Sequence, residues 1–303
     1  MKLLKVLAIT LLASLILSAS IIWFYPQTGD FKPDNSFWNG SSKFVKTSNA
    51  TIINSLKDIP SNAKSVMLLT IPYTHYDTWE LETLKSFLTE GGILVLMDDY
   101  GYGNELLEYL NLSVRFSGKP LLDPLFNYKN KWFPKISIFS NHTIFQNVTT
   151  VLFNHATALV NTSDVEVLAW SSSFSFLDLN DDGKYTSNEP MGPLPVIAKK
   201  DFGNGSLILI SDPSIIINSM IDMEDNQKFL TNLINVHGKP LHVLFDISHL
   251  PRTAIDDAKD ALRYLRDIAL TPPISFILVL ITVIILLKPL QKGGKRYGSE
   301  RGK

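Results

Sequence analysis

The sequence predicts an α/β domain between two membrane-spanning helices, with a mostly parallel, open sheet that carries helices on both faces. Three observations support this fold class. Apolar runs of strand length alternate with stretches in which apolar residues recur at helical spacing. Short glycine-rich links join these segments. A long apolar segment also lies near each end of the 303 residues.

The first apolar segment, residues 3–24, is interrupted by Lys5 and by small hydroxyl side chains. A helix of about 20 such residues crosses the hydrocarbon core of a bilayer, which is roughly 30 Å thick. We expect an uncleaved anchor over residues 1–24, because apolar and aromatic residues continue through Tyr25, beyond the small residues at 18–20. A signal peptide cleaved at those small residues is the alternative.

The second apolar segment is predicted to span the membrane over residues 272–289, beginning at Pro272 and Pro273. A buried core helix is the alternative for so short a run. A basic tail, residues 290–303, follows the segment, and basic residues beside apolar spans stay on the cytoplasmic side. Both termini are therefore expected in the cytoplasm of a membrane-bound protein, and residues 25–271 are expected outside it.

The region between the two spans is acidic and contains no cysteine. The termini hold eight of the 28 basic residues and one of the 29 acidic residues, so the middle carries a net charge of about −8. A surface of that charge does not attract nucleic acid. The absence of thiols excludes disulfides, cysteine metal sites and cysteine nucleophiles.

The external domain is predicted over residues 38–239, after a linker at 25–37. Residues 93–97 are all apolar, and residues 65–71 are apolar except for Ser65 and Thr70, which is typical of strands buried on both faces. Residues 78–90 place Trp79, Leu81 and Leu84 at helical spacing and end at a Gly-Gly pair. The remaining predicted elements are a helix at 104–110, an irregular insertion at 119–135, strands at 165–170, 196–199 and 207–211, and a helix at 225–236.

Residues 240–271 are predicted to form a strand at 241–245 and then a juxtamembrane amphipathic helix. Thr253, with Asp256 three residues later, is a capping signature for the start of this helix. Ile255, Leu262 and Leu265 give the helix one apolar face. That face is expected to pack on the domain or lie near the membrane surface, and binding of a partner protein is the alternative.

Seven Asn-x-Ser/Thr sequons lie in the predicted external region, which is where a glycosylation enzyme would meet them. We treat them as candidate glycosylation sites: Asn39, Asn49, Asn111, Asn141, Asn147, Asn161 and Asn204.

Residues 178–189 match the twelve-residue calcium loop at each defining position. The predicted ligands are the side chains of Asp178, Asn180, Asp182 and Glu189 and the carbonyl of Lys184. Pro190 and the Gly-Pro pair at 192–193 forbid the exiting helix of a paired EF-hand. We therefore predict a lone structural Ca²⁺ clamp, with an extracellular-type affinity of roughly 10⁻⁴ to 10⁻³ M. A metal-free acidic turn is the alternative.

Several short motifs resemble those of one known family. They are Trp38-Asn39-Gly40-Ser41, residues 72–82, residues 91–95, Gly203-Asn204-Gly205, and Ser211-Asp212-Pro213-Ser214 with Asn218. Residues 38–236 are thereby similar to archaeal and bacterial membrane-anchored proteins of a domain-of-unknown-function family, whose core resembles class I glutamine amidotransferases. The resemblance implies a Rossmann-like or flavodoxin-like core and an accessory role in a membrane system.

The resemblance does not carry amidotransferase chemistry with it. True amidotransferases use a cysteine nucleophile in a strand-to-helix elbow and a histidine base. Here the turn after residues 93–97 reads Asp98-Asp99-Tyr100-Gly101 and has no thiol, and Ser211-Asp212-Pro213 has no histidine beside it. We therefore predict no catalytic residues of that kind and a non-catalytic protein.

Polar residues are nevertheless expected at the carboxyl ends of the parallel strands, where open α/β sheets bind ligands. Asp98, Asp99 and Asp212 should gather there, with Tyr102 and Asn104 beside them. Such acids could hold a cation or acquire a raised pKa. The alternative is that Asp98 or Asp99 caps the next helix and Asp212 fixes a turn.

No other pattern points to a cofactor. The six histidines show no metal-ligand spacing, and a surface hydrogen bond between Asp246 and His249 is expected. Neither a dinucleotide loop nor a phosphate-binding lysine motif is present, so nucleotide binding is not predicted.

The sequence thus predicts a non-catalytic, membrane-anchored external domain that binds a membrane or envelope partner. One alternative is a metal-assisted hydrolase of envelope material that uses the three acids. The other is a carbohydrate-binding module in which Trp38, Trp79 or Trp132 stacks on sugars.

Overall fold

The computed structural model describes residues 2–236, 239–277 and 280. The chain divides into two compact units, Gln27–Pro251 and the combination of Met1–Pro26 with Arg252–Lys303. The unit Gln27–Pro251, called the globular unit below, extends beyond the predicted domain bounds 38–239 at both ends. It takes in most of the predicted linker and the strand predicted at 241–245.

The helices and strands of the described residues have the following bounds. The helices are α1 (Lys2–Phe24), α2 (Ser42–Ser48), α3 (Thr78–Thr89), α4 (Asn104–Tyr109), α5 (Asn226–Ile234) and α6 (Ala254–Leu270). The strands are β1 (Thr51–Ile53), β2 (Val66–Thr70), β3 (Ile93–Met97), β4 (Arg115–Phe116), β5 (Leu121–Leu122), β6 (Asn127–Tyr128), β7 (Asn130–Ile136), β8 (Ile138–Phe139), β9 (Val151–Leu152), β10 (Leu159–Val160), β11 (Glu166–Trp170), β12 (Phe176–Leu177), β13 (Pro195–Phe202), β14 (Gly205–Ile210), β15 (Asn235–Val236), β16 (Lys239–Pro240) and β17 (His242–Asp246).

The main sheet has eight strands in the order β1-β17-β2-β3-β14-β13-β11-β8. The first five are mutually parallel, and β13, β11 and β8 continue the sheet in antiparallel fashion. The predicted α/β class is confirmed, but the sheet is mixed rather than mostly parallel. The reason is local: Phe202 pairs with Gly205 across a two-residue turn in which Gly203 has φ +62°, and so tight a turn can join only antiparallel strands.

Helices cover both faces of the parallel half of the sheet. Met67 and Leu69 point to the face on which α2 and α5 lie, together with Phe44 and Phe229. Leu68 points to the opposite face and packs in the cluster that contains α3 and α4. Alternate residues of each strand are thus buried on opposite sides, which explains why nearly all residues of these strands are apolar.

Most predicted elements are found within one to three residues of their predicted ends. The helix predicted at 78–90 is α3, and it begins with a capping box in which Glu80 accepts a hydrogen bond from the backbone N–H of Asp77. The capping box predicted at Thr253 and Asp256 is present at the start of α6. The predicted irregular insertion at 119–135 instead contains β5, β6 and most of β7.

The second unit contains α1 and α6. Within the described part of the chain, α1 is the one helix long and apolar enough to cross a membrane, over Val6–Phe24. Lys259 of α6 donates to the carbonyl of Tyr25 (2.7 Å), and the Arg266 guanidinium lies 5.8 Å from the Trp23 ring centroid. The predicted second span at 272–289 lies only partly within the described residues, and the basic tail at 290–303 lies outside them.

Candidate functional site

A cleft of about 590 Å³ opens at the carboxyl edge of the parallel strands of the globular unit. That volume is within the range of small-molecule sites. Six aromatic side chains line it: Phe31, Trp38, Tyr73, Tyr100, Tyr128 and Phe133. The polar residues that matter for its chemistry are Asp30, Asp99, Lys129, Asn154, His155 and Ser219.

Tyr73, which follows β2, is the centre of the aromatic wall. Its ring centroid lies 5.8 Å from Phe31 and 5.6 Å from Tyr100. Its backbone N–H donates to the carbonyl of His249 (2.9 Å), which fixes the turn that carries the ring. Trp38 completes the wall and is 68% exposed, so its ring has a free surface. Aromatic rings arranged at these distances form a stable platform for a ligand.

Asp98 is the first acid after β3, and it organises the backbone rather than the cleft. One carboxylate oxygen accepts the N–H groups of Tyr100 and Gly101 (both 2.9 Å), and the other accepts that of Gly103 (2.6 Å). Burial raises the pKa of Asp98, and these three N–H donors oppose the rise. Asp98 therefore holds the turn before α4 but does not cap that helix, whose N-cap residue is Gly103 and which has no side-chain cap hydrogen bond.

Asp212, after β14, has a similar structural task. It is fully buried, and its oxygens accept the N–H groups of Ser214 (2.7 Å) and Asn154 (2.6 Å). Burial, together with the charge of Asp99, raises its pKa well above the ordinary value for an aspartate, although the Asn154 and Ser214 N–H groups oppose this. Asp212 thus joins the turn after β14 to the loop after β9.

Asp99 differs from both of its neighbours because its carboxyl lines the cleft. One of its oxygens, Oδ1, is buried and finds no hydrogen-bond partner among the described residues. Burial, followed by repulsion from Asp98, raises the pKa of Asp99 to about 7. The structure thus brings the three predicted acids to one edge of the sheet, but Asp99 is the one that faces a ligand space.

The other two predicted crevice residues do not line this cleft, although the ring centroid of Tyr102 lies 6.3 Å from that of Tyr73. Tyr102 lines a shallower pocket of about 400 Å³ with His75 and Glu105. Both ends of the Asn104 side-chain amide bind the backbone of Phe116. The Asn104 oxygen accepts the Phe116 N–H (2.8 Å), and the Asn104 NH₂ group donates to the Phe116 carbonyl (2.9 Å). Asn104 therefore anchors α4 to β4.

Sequence reasoning missed one wall of the cleft, which begins in the predicted linker at 25–37 and continues through Asn39. Residues 30–39 fold onto the globular unit instead of leading away from it. Asn218 ties this segment down: its side-chain amide donates to the carbonyls of Asn35 (3.0 Å) and Phe37 (2.7 Å), and its oxygen accepts the N–H of Lys43 (2.9 Å). The pairing of the Trp38–Ser41 motif with Asn218 was the available signal, because both belonged to the same family resemblance.

His249 and Asp246 do pair, but the predicted surface hydrogen bond is wrong because both are buried. His249 Nδ1 lies 2.7 Å from Asp246, and Nε2 lies 3.4 Å from Glu80. Burial alone would lower the pKa of His249, but the hydrogen bond and charge of Asp246, with the charge of Glu80, raise it. The reciprocal contact with His249 holds the pKa of Asp246 below its ordinary value although burial would raise it.

The predicted calcium loop lies between β12 and β13, and Gly183 takes the expected positive φ of +71°. Asp178 accepts the N–H of Gly183 (2.7 Å), and Glu189 accepts those of Leu179 (2.9 Å) and Thr186 (2.8 Å). No group of three or more acidic or histidine side chains within the described residues is placed to hold a metal ion. A bound Ca²⁺ would share its oxygens with these N–H groups, and the Ca²⁺ site stays a prediction.

The predicted ligands Asn180, Asp182 and Lys184 also face the loop itself. Asp182 accepts the N–H of Lys184 (2.7 Å), and the Asn180 amide donates to Asp182 (3.3 Å). The ammonium group of Lys131 contacts the carbonyl of Gly183. A cation in this loop would therefore meet a neighbouring positive charge.

Six of the seven sequon asparagines are exposed, and the seventh, Asn39, is half-buried. The Asn39 amide already donates to the carbonyl of Thr28 (3.0 Å) and to Asp30 (2.5 Å). Four of the exposed ones occupy the left-handed backbone region, which asparagine tolerates well: Asn49, Asn111, Asn147 and Asn161. Their turns thus explain these residues structurally, and glycosylation of the sites stays a prediction.

The solved structures similar to this chain are distant. The N-terminal domain of mmIFT52 is 16% identical with a TM-score of 0.46, over 64% of this chain and 87% of that one. A β-galactosidase from Bacillus circulans sp. alkalophilus is 13% identical with a TM-score of 0.38, over 58% of this chain and 23% of that one. A putative ThuA-like protein from Bacteroides uniformis is 16% identical with a TM-score of 0.38, over 64% and 81%.

The comparison with curated proteins gives no match. A family model does match, over residues 33–234, which is about two thirds of the chain and includes most of the cleft. The predicted membership of a domain-of-unknown-function family is thereby confirmed, and the chain belongs to the family described as Domain of unknown function (DUF4350).

Proposed function

We propose that this protein is a membrane-anchored, extracytoplasmic binding domain, and that the aromatic cleft is where it takes its ligand. The observation that carries the proposal is the cleft itself: six aromatic rings and two acids, Asp30 and Asp99, surround about 590 Å³ at the carboxyl edge of the parallel strands. In this proposal the protein is an accessory component of a membrane complex, and the amidotransferase-like core is a scaffold.

The hydrogen bonds around the acids favour binding over catalysis. Asp98 and Asp212 accept backbone N–H groups on both of their oxygens, so their carboxyls support turns. A metal-assisted hydrolase that used Asp98, Asp99 and Asp212 would need all three to be available to one ion. That reaction remains the alternative enzymatic function, and loss of hydrolysis in Asp99→Ala would support it.

Carbohydrate binding is the second alternative, and the three tryptophans are not equivalent for it. Trp38 lines the cleft and is 68% exposed. Trp79 packs beside the core with Lys57 5.0 Å from its ring centroid, and Trp132 stacks on His155 at 4.8 Å. Trp38 is therefore the side chain on which a sugar would stack.

A cleft-filling variant tests the proposed function. Ser219 is exposed and lines the cleft, so Ser219→Trp should fill the ligand space without disturbing the core. Ser61→Trp, at an exposed position away from the cleft, is the matched control. The full chain in detergent would be screened by thermal shift against cationic, neutral and anionic small molecules, with sugars among the neutral ones.

The expected result is at least one ligand that raises the Tm of the wild type and of Ser61→Trp but not of Ser219→Trp. A screen in which no ligand of any charge class distinguishes the two variants would refute the cleft as the binding site.

The two-span topology is also part of the proposal, and the lack of cysteine makes it easy to test. Single cysteines at Ser61 and at Lys303 would be labelled in intact cells with a membrane-impermeant maleimide. We expect labelling at Ser61→Cys and none at Lys303→Cys until the membrane is permeabilised. Labelling of both in intact cells would place the carboxyl terminus outside.

A further inference from the structure

Among the described lining residues of the cleft, acidic side chains outnumber permanent cations. Asp30 and Asp99 line it, and the buried carboxyls of Asp98 and Asp212 lie close enough to Asp99 to interact with its charge. Among the described lining residues the permanent cation is Lys129, whose ammonium lies 4.9 Å from the ring centroid of Tyr128. The two carboxyls therefore give the cleft a negative field. The ammonium group of Lys129 already has a cation–π contact with Tyr128.

The walls of the cleft match that field. Trp38, Tyr73 and Tyr100 present aromatic rings to the same space as the two carboxyls. The face of an aromatic ring carries negative quadrupole charge and attracts an organic cation, most strongly where water is excluded. A cluster of such rings with a carboxylate is the arrangement that selects ammonium groups over neutral groups of the same shape.

We propose that the cleft recognises its ligand through a protonated amine or quaternary ammonium group, held by Asp99 and Asp30 and by the rings of Trp38, Tyr73 and Tyr100. This inference rests on the proposed function and adds the chemical class of the ligand. An anion would face the negative field, and a neutral ligand would leave the unpartnered Asp99 oxygen and its neighbouring charges without compensation.

Binding of such a cation should be linked to the proton on Asp99. The pKa of this carboxyl is raised to about 7, and a bound cation favours its ionised form. The affinity should then weaken roughly tenfold from pH 8 to pH 6, as the carboxyl takes up its proton. The other titratable or charged groups that line the cleft are Asp30, Tyr73, Tyr100, Tyr128, Lys129 and His155. The buried carboxyls of Asp98 and Asp212 do not line it but interact with the charge of Asp99.

His155 would act in the same direction, because it too becomes charged as the pH falls, although burial lowers its pKa. The variant Asp99→Asn separates the two contributions. It should abolish most of the pH dependence if Asp99 is responsible, and it should leave the dependence intact if His155 is.

The test uses choline, ethanolamine and spermidine as ammonium probes, with dimethylbutanol, the neutral carbon isostere of choline, as the matched control. Binding to the full chain in detergent would be measured by calorimetry for the wild type, Asp99→Asn, Asp30→Asn, Ser219→Trp and Ser61→Trp. We expect at least one ammonium probe to bind, its affinity to fall roughly tenfold or more in Asp99→Asn, and dimethylbutanol to bind far more weakly than choline.

Three results would overturn the inference. They are equal binding of choline and its neutral isostere, unchanged affinity in Asp99→Asn, and binding by none of the ammonium probes. If a neutral or anionic ligand then still binds to the wild type and not to Ser219→Trp, the proposed function survives with a different ligand class. If no compound of any charge distinguishes Ser219→Trp from Ser61→Trp, both fail.

Discussion

Asp246 and Asp99 both lie at the carboxyl edge of the parallel strands, at the end of β17 and after β3. Their carboxyls differ in whether a positively charged partner is in contact with them. Asp246 is met by His249 at 2.7 Å and also accepts the hydroxyl of Thr70 (3.0 Å). Asp99 has an unpartnered buried oxygen and two buried carboxyls as neighbours. Asp246 is in contact with its own counter-charge, whereas among the described residues no ion pair involves Asp99.

The pKa values follow from this difference. Contact with His249 holds the pKa of Asp246 below its ordinary value, whereas burial and Asp98 raise that of Asp99 to about 7. A buried charge without a partner destabilises the fold, and removing one partner from a buried ion pair leaves such a charge. We conclude that the Asp246 site is structural, and we propose that a ligand completes the Asp99 site.

The largest effect should come from His249→Ala, which removes the counter-charge from the first site. Asp246 and Glu80 would then lie together without a cation, which should cost about 3–5 kcal/mol of unfolding free energy in urea. His75→Ala is the matched control, because the His75 side chain is 84% exposed and should change stability little. A His249→Ala protein as stable as His75→Ala would show that His249 does not stabilise the fold as a counter-charge to Asp246.

His249 also predicts a pH effect at this site. Its pKa is raised in the folded state, so the stabilisation by the imidazolium is fully present below about pH 6.5, its unfolded pKa. That stabilisation should be lost as the pH rises through the folded pKa. The pH profile of urea unfolding, compared between wild type and His249→Gln, would measure it, and identical profiles would contradict it.

Asp99→Asn should have the next largest effect, and in the opposite direction. The folded state holds the Asp99 proton up to a pKa of about 7, against roughly 3.9 when unfolded, so wild-type stability should fall between pH 4 and pH 7. Removing the charge should therefore raise the unfolding free energy at pH 8 by roughly 2–4 kcal/mol. If the unfolding free energies of the two proteins change in the same way between pH 4 and pH 7, the charge of Asp99 is already neutralised by another group in the folded protein.

Asp98→Asn tests the neighbouring acid, whose carboxylate accepts three backbone N–H groups. Its new amide group would oppose the N–H donors of Tyr100, Gly101 or Gly103. We expect a loss of roughly 1–3 kcal/mol in thermal or urea unfolding. Stabilisation by both Asp98→Asn and Asp99→Asn would mean that the two acids play the same part.

The smallest effect concerns a third acidic region, the loop at 178–189, where backbone N–H groups satisfy the carboxyls. If Ca²⁺ binds there with a Kd near 10⁻³ M, a tenfold excess should stabilise the protein by roughly 1.4 kcal/mol. For a domain of this size that is roughly a 3–6 °C rise in Tm. Glu189→Gln should abolish the rise, and an unchanged Tm in the wild type would leave an acidic turn.

Local signals in the sequence predicted much of the scaffold around these sites. Residues 93–97 are apolar because both faces of β3 are buried, and the Thr253–Asp256 pair marks the start of α6 through hydrogen bonds within one turn. Burial periodicity and capping act between near neighbours in the chain, so both can be recognised without the fold. The gathering of Asp98, Asp99 and Asp212 also followed, because parallel strands end at a common edge.

By itself, the sequence determined the α/β class, the positions of the main strands and helices, and an apolar helix suited to a membrane. Only the tertiary structure decided the antiparallel half of the sheet, the wall built from residues 30–39, and the partners of each acid. Glu80 and His249 are 169 residues apart in the sequence. The wall built from residues 30–39 is held by a hydrogen bond from the Asn218 side chain to the Phe37 carbonyl. Such pairings depend on how distant segments pack, and no local pattern of residues encodes which carboxyl is left without a partner.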